Sequence, residues 1–432
     1  MKIFKHLTFL YLLIILISTK IYAQDSLQVK RDYLFVWGSK PNIEAFSLDV
    51  HSTSSFLFER LNSAIARSSS KYINNGFIRF LNLGFQGSIG TWVFITIPHE
   101  TAHYLRGKES GIEDVKIHLE AKFMGGFYTV DTRLNENTPI ERLMVTTAGP
   151  ELSTLVSYLQ IKDMYSGKPI PPHYSIFQIG AKYVDGYNYY SRVKDFQEDP
   201  NKWLDEKKKN YSNYRSPLKF DPLGFTLTLA ENYGYYDTWL PKDSVWFWEP
   251  NDISLYKNEF VVDQFKRMKN AYLLALLDPS IINSLYSAIK YIIYGDLYTR
   301  VFMIPVGSIK FMPSIRANMG MWGIENYFDI HLLYKNKLPF SVYYRQGGNL
   351  DEDIYGFGAE VSNINISDYI NMNFQGDYWN KEGFNINSGI QFKYKRIYLL
   401  AKLGYKTYGS LIGKPWGKGI YGYGGIGFEF LQ

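Results

Sequence analysis

The sequence predicts an α+β protein in which a helical domain, about residues 24–300, precedes a C-terminal antiparallel β-barrel of about eight strands over residues 301–432. Three observations carry this. Apolar residues recur with helical spacing in several segments between Phe77 and Tyr294, and from about Gly307 onward the period changes to two. Aromatic residues make up 17% of the 432-residue chain, with 37 Tyr, an excess that suits membrane-interface girdles or a β-rich surface.

Residues Met1 to Ala23 read as a secretory signal peptide. Lys2 and Lys5 open it, Phe9 to Ile17 form its apolar core, and Ile21-Tyr22-Ala23 precedes a cleavage point before Gln24. The core is too short for a spanning helix, so the segment implies export. Without Lys2, Lys5 and Lys20 the formal charge falls from +6 to about +3, and no nucleic-acid partner is implied. A cysteine count of 0 excludes disulfides and thiolate ligands, so a metal site here must use His and carboxylate.

The stretch Phe77 to Ile97 is mostly apolar but carries Arg79, Asn82 and Gln86, and its second half predicts a helix that buries a face. Gly111 to Arg133 alternates around Met124-Gly125-Gly126 and predicts a β-hairpin. Leu143 to Leu159 predicts a helix broken by Ala148-Gly149-Pro150. Residues from about 162 to 219 are polar and Tyr-rich, with the charge run Asp205-Glu206-Lys207-Lys208-Lys209, and read as a solvated insertion. Helical signal returns in Phe220 to Ala230 and in Ala271 to Tyr294, divided at Asp278-Pro279. No tandem repeat of solenoid period is visible.

Beyond Gly307 the rows Phe328/Ile330/Leu332/Tyr334, Tyr355/Phe357/Ala359/Val361, Phe384/Ile386/Ser388/Ile390/Phe392 and Ile397/Leu399/Ala401/Leu403/Tyr405 alternate apolar with polar residues or Gly. Tyr334-Lys335-Asn336-Lys337 and Gln346-Gly347-Gly348-Asn349 supply turns. Strands of roughly 10 residues with tyrosines near their ends match a small outer-membrane-type barrel. The alternative is a soluble antiparallel barrel or sandwich.

His99-Glu100-Thr101-Ala102-His103 is an H-E-x-x-H motif directly after the apolar run Trp92 to Ile97. Residues four apart share a helix face, so both imidazoles reach one metal while Glu100 is aimed at its water, the core of a zincin-like metalloprotease. The competing reading is a pair of hydrogen-bonded histidines on a half-buried helix. Glu151, inside an otherwise apolar helix on the order of 50 residues further on, stands where Glu-ligated zincins complete their site, or else is a first-turn acid facing the helix dipole. His118 and His173 read as surface or hydrogen-bonded residues.

From Thr96 to Leu159 the sequence resembles the site-2-protease family of zinc metalloproteases. The shared order is the apolar helix ending in His99 to His103, then Gly111, the pair Gly125-Gly126, and Ala148-Gly149-Pro150. The resemblance implies Zn2+ ligated by His99 and His103, with Glu100 as general base. It also implies a third ligand, an Asp in a Leu-Asp-Gly-Gly segment that opens a later helix. Leu277-Asp278-Pro279-Ser280 stands in a comparable place, with Pro and Ser where the family has two glycines. Asp278 also reads as an N-cap with Pro at the first helical position. Family members work inside the lipid bilayer, whereas the polar and charged residues here make the helices look like those of a folded core.

These readings combine into a zinc-dependent metallopeptidase anchored in the outer membrane, its metal domain facing the periplasm and its substrate a polypeptide. Two alternatives stand beside it: a non-catalytic outer-membrane barrel protein whose helical domain binds zinc or a partner polypeptide in assembly or transport, and a soluble periplasmic gluzincin-like enzyme.

Overall fold

The computed structural model describes residues 30–38, 42–112, 115–120, 127–131, 138–199, 202, 221–235 and 257–431. The leader, the Met124-Gly125-Gly126 turn, the charge run at 205–209 and the side chain of His118 lie outside the described residues. In chain order the elements begin with β1 (Lys30–Gly38), α1 (Ile43–Ala66) and α2 (Gly76–Ile89). A π-helical stretch (Gly90–Thr96) joins α2 to α3 (Ile97–Glu109), and the hairpin β2 (Lys116–Glu120) and β3 (Phe127–Asp131) follows. Next come α4 (Pro139–Tyr165), α5 (Tyr174–Ile179), a second π-helical stretch (Gly180–Tyr187), α6 (Asn188–Glu198), α7 (Asp221–Asn232), α8 (Glu259–Ala275) and α9 (Pro279–Tyr294).

The strands β4 (Ile304–Val306), β5 (Ile309–Gly320), β6 (Gly323–Tyr334), β7 (Leu338–Gly348) and β8 (Asp353–Ser367) open the C-terminal part, and β9 (Ile370–Trp379), β10 (Gly383–Tyr394), β11 (Ile397–Lys406) and β12 (Gly419–Leu431) complete it. They form one antiparallel meander in chain order, to which β1 adds itself beside β12, with Lys30 opposite Leu431 and Gly38 opposite Tyr423. The eight long strands expected from the alternation are β5 to β12. Two more join them, giving a 10-stranded sheet whose edges, β1 and β4, are not paired with each other among the described residues. The expected closed barrel is therefore an open sheet.

Side-chain burial on this sheet is inverted. The apolar rows point outward, with Phe357 57%, Ile386 60% and Leu403 64% exposed. Their neighbours Glu325, Asp329, His331, Arg345, Asn385 and Lys406 point inward and are buried. The inner charges are paired, Arg316 Nη2 with Asp329 Oδ1 at 2.6 Å and Arg345 with Glu325, as buried charges must be. Exposed tyrosines gather at both ends of the strands, Tyr355 and Tyr378 at one and Tyr334, Tyr369 and Tyr394 at the other.

The helices fill the polar inner side. Helix α4 is the central one, capped by Thr138 and Glu141 in a capping box and buried along most of its length against α1, α3, α7 and β5. Pro150 sits inside it without breaking it, contrary to the sequence expectation, because packing on every side outweighs one lost backbone hydrogen bond. Residues 162–199, expected as a solvated insertion, instead finish α4 and form α5, the π stretch and α6. Ile170, Tyr174, Phe177, Val193 and Phe196 there are buried, Val193 and Phe196 in the same cluster as Phe265 of α8.

Candidate metal centre

The helix reaches the H-E-x-x-H motif through a widened turn. Pro98 lacks the N–H that an α-helix would use, and the π-helical stretch immediately before it absorbs the mismatch. Thr96 Oγ1 and Thr101 Oγ1 donate to the carbonyls of Thr91 and Ile97 at 2.9 and 2.8 Å. Gly111, in the left-handed region at φ 83°, follows the end of α3.

One turn of α3 separates His99 from His103. Both rings are buried, their centroids 5.0 Å apart at 74°. His99, Glu100 and His103 each offer a ligand atom within 4.8 Å of the other two. Helix α4 holds both imidazoles. Gly149 lies under His99, where an added Cβ would stand 2.3 Å from Nε2, so Ala148-Gly149-Pro150 is the seat of the first histidine. The Val145 carbonyl accepts a hydrogen bond from His103 Nδ1 at 2.5 Å. A carbonyl can only accept, so Nδ1 carries the proton and Nε2 keeps its lone pair for a ligand.

The carboxylate facing this pair is Asp221, the first residue of α7. Its Oδ2 lies 3.0 Å from His99 Nε2 and 3.7 Å from His103 Nε2, and accepts the Tyr189 hydroxyl at 2.7 Å. Tyr189 Oη is also 3.5 Å from His99 Nε2. Burial alone would raise the Asp221 carboxyl, but the His103 and His99 imidazoles outweigh it and hold it well below the usual carboxylate range. Two imidazole nitrogens and a carboxylate oxygen converging on one point are a donor set that suits zinc, and the hydrogen bonds of His103 to the Val145 carbonyl and of the Tyr189 hydroxyl to Asp221 orient it.

The two acids expected as the third ligand are occupied elsewhere. Asp278 caps α9 through Oδ1, which accepts the Ser280 amide at 2.7 Å. Its Oδ2 accepts the Ile315 amide at 2.8 Å and pairs with Lys182. Glu151 takes Arg106 Nη2 on both oxygens, at 2.7 and 2.9 Å, and the Gly413 amide at 2.6 Å. Each carboxylate has its charge and lone pairs met by these partners. His173 is a buried histidine against Ser55 and the Phe58 ring.

Asp221 was readable in principle. Asp221-Pro222 opens an apolar helix just as Asp278-Pro279 does, and Gly224 follows it. Tyr189 gave no signal among the tyrosines around it.

Neither a protein-family model nor a curated protein matches the chain. Among solved structures it is similar to OmpTdeltaL8, a loop L8 deletion mutant of OmpT, an outer membrane protein of Vibrio cholerae. The match has 11% identity and a TM-score of 0.21 over 29% of this chain, and spans about half, 51%, of the length of that structure. A likeness this slight carries no argument about fold or function.

Proposed function

We propose that this protein is a zinc-dependent metallohydrolase, a peptidase, anchored in an outer membrane by its ten-stranded sheet. The observation that carries the reading is the convergence of His99 Nε2, His103 Nε2 and Asp221 Oδ2 beside Glu100. With Asp221 in place of Asp278, the resemblance to the site-2-protease family gains what the sequence left wanting, an Asp that opens a later helix and faces the two histidines.

His99, His103 and Asp221 would hold the ion. An ion held there would supply a Lewis acid for a substrate carbonyl and would make water acidic enough to ionise near neutral pH. Glu100, half-buried beside His99, takes the proton of the attacking water and passes it to the leaving amine. Tyr189 fixes Asp221 through its hydroxyl and limits the freedom of the donor set.

The inverted sheet supports the membrane part of the reading. Outward apolar rows bounded by tyrosines at both ends, over a polar and charged interior, are the arrangement that lipid requires and water penalises. The metal helices lean toward the end of the sheet that carries the long Lys406 to Gly419 connection, with Trp416 N donating to Glu109 at 3.0 Å and Gly413 N to Glu151. The turns at the opposite end, Tyr334–Leu338, Ser367–Ile370 and Tyr394–Ile397, are short.

The test is zinc content of the purified full chain beside that of His103→Ala, with hydrolysis of a denatured polypeptide as the functional readout. Equal zinc in both proteins overturns the metal centre.

A further inference from the structure

The sheet is not the only part of the molecule with its apolar side outward. On α2, Arg79, Asn82, Leu83 and Gln86 are buried, whereas Phe77, Phe80, Leu81 and Phe85 are 67, 57, 47 and 58% exposed. Helix α9 repeats the pattern: Ser280, Asn283, Ser284 and Ser287 face in, and Leu285, Ile289 and Ile293 face out. The buried polar groups bond to one another, Asn82 Nδ2 donating to Asn62 Oδ1 and to Tyr291 Oη at 2.7 and 2.9 Å, and Gln86 Nε2 to Asn62 Oδ1 at 2.7 Å. A helix on a water-facing surface arranges these residues the other way round.

These helices lie across the gap between the sheet edges. Helix α1 packs along β1, α2 on α1, α9 on α2, and α9 on β5. Their polar side chains meet the backbone of the open edges. Leu34 N and Val36 N donate to Ser52 Oγ and Asp49 Oδ1 of α1 at 3.0 and 2.7 Å. On the far side Phe302 N donates to Asn283 Oδ1 at 3.0 Å, and Ile315 N to Asp278 at 2.8 Å. An edge in hydrocarbon has no water to satisfy it and needs such partners.

We infer that α2 and α9 are part of the lipid-facing surface and close the gap in the sheet, so that one apolar belt runs from Trp37 on β1 across both helices to Val306 and Ile309 and on around the strands. The inference rests on reading the sheet as embedded in a bilayer. Exposed apolar residues extend from Phe77 to Trp92, roughly 24 Å of helix at 1.5 Å per residue, close to the ~25 Å height of the apolar band of outer-membrane sheets, and on the 16-residue α9 they run from Leu285 to Tyr294. By length and composition the helical run Gly76–Glu109 is long and apolar enough to cross a membrane. Arg79, Asn82 and Gln86, which in sequence argue against lipid contact, all lie on the inner side, so the cost of polar residues in hydrocarbon is not incurred.

The absence of cysteine makes the test direct. The single variants Phe80→Cys, Ile289→Cys, Ile386→Cys and Lys194→Cys of the full chain are labelled with an environment-sensitive fluorophore and reconstituted into phospholipid vesicles containing doxyl-labelled lipid. Quenching at 80 and 289 comparable to that at 386 on the sheet, with little at 194, is the expected result. Quenching at 386 without quenching at 80 and 289 overturns the inference and leaves the membrane reading of the sheet intact, whether a second copy or another protein covers the helices. Absence of quenching at 386 removes the membrane reading and the inference with it, and equal quenching at 194 removes the distinction on which the belt depends.

Discussion

Gly149 lies so close against the His99 imidazole that a methyl group on its Cα would stand 2.3 Å from Nε2. The contact ties the Ala148-Gly149-Pro150 segment of one helix to the metal motif of another. Gly149→Ala must push the ring away or part the helices, an overpacking cost of about 1–3 kcal/mol. A shift of a few tenths of an ångström in a first ligand matters more to the metal than to the fold. The expected outcome is a protein that folds but retains much less zinc, checked by elemental analysis beside thermal unfolding. Full zinc retention would mean that His99 is not a ligand.

The third-ligand assignment separates three acids. Asp221→Ala should release zinc, because it removes the carboxylate oxygen that lies 3.0 Å from His99 Nε2 and 3.7 Å from His103 Nε2. Asp278→Asn should keep the zinc but destabilise the fold by about 3–5 kcal/mol, since it leaves the buried Lys182 without its partner. Glu151→Gln should also keep the zinc and destabilise the fold, by less than Asp278→Asn, since Arg106 loses one carboxylate partner but keeps Glu109. Zinc loss in Asp278→Asn with retention in Asp221→Ala would reverse the assignment.

Glu100→Gln should retain zinc and lose turnover. A neutral amide cannot accept the proton of the attacking water, and loss of a general base lowers rate by at least about 10²-fold. Single-turnover cleavage of a denatured polypeptide measures it. Unchanged cleavage would assign the proton transfer to another group.

What the sequence disclosed follows from how local the signal is. The H-E-x-x-H spacing and the period-two rows depend on residues a few positions apart, and both reappear in the structure as a paired helix face and as the outward rows of β5 to β12. Asp221 depended on which of two Asp-Pro helix starts folds back over α3, a tertiary choice no local pattern encodes. The burial of Tyr174, Tyr189 and Phe196 was hidden because polar neighbours made a packed segment look solvated. Alternation also shows that a strand has two faces without showing which faces outward. The same limit applied to α2, where Arg79 and Gln86 made it look like a helix of a folded core and not a lipid-facing one, because the sequence did not show that both lie on its buried side.

Metal retention should fall as pH drops, because ligating nitrogens must be unprotonated; burial alone would lower the His103 imidazole, but the Asp221 carboxylate outweighs it and raises it above the ordinary value of about 6.5. Asp221 does not supply this limb. Its folded-state pKa is depressed, so its contribution to stability is complete above the unfolded carboxylate value of about 3.9 and is lost only as pH falls further, through the lower folded value. Zinc content after dialysis at a series of pH values checks the point. A midpoint near pH 4 would move the controlling protonation from the imidazoles to the carboxylate.

The outward rows of the sheet make the last prediction. Ile386 is 60% exposed, stands opposite Gly376 and Tyr405, and follows the end-girdle pair Phe384 and Tyr378 along the strand. Its neighbour Asn387 points inward, where its Nδ2 donates to Gln375 Oε1 at 3.1 Å. An arginine at 386 would meet hydrocarbon if the sheet spans a bilayer, at a cost of roughly 2–4 kcal/mol near mid-depth, falling toward zero near the interface. Ile390→Arg, four residues further along the same outward row, should cost at least as much. If the sheet stands in water, both substitutions should be near neutral, since an exposed Ile-to-Arg change removes little packing. Urea unfolding in phospholipid vesicles measures the difference, and the same preparation gives a coarser check: the full chain should resist carbonate extraction and require detergent. Near-neutral costs at both positions, together with release by carbonate, would make the sheet a soluble module.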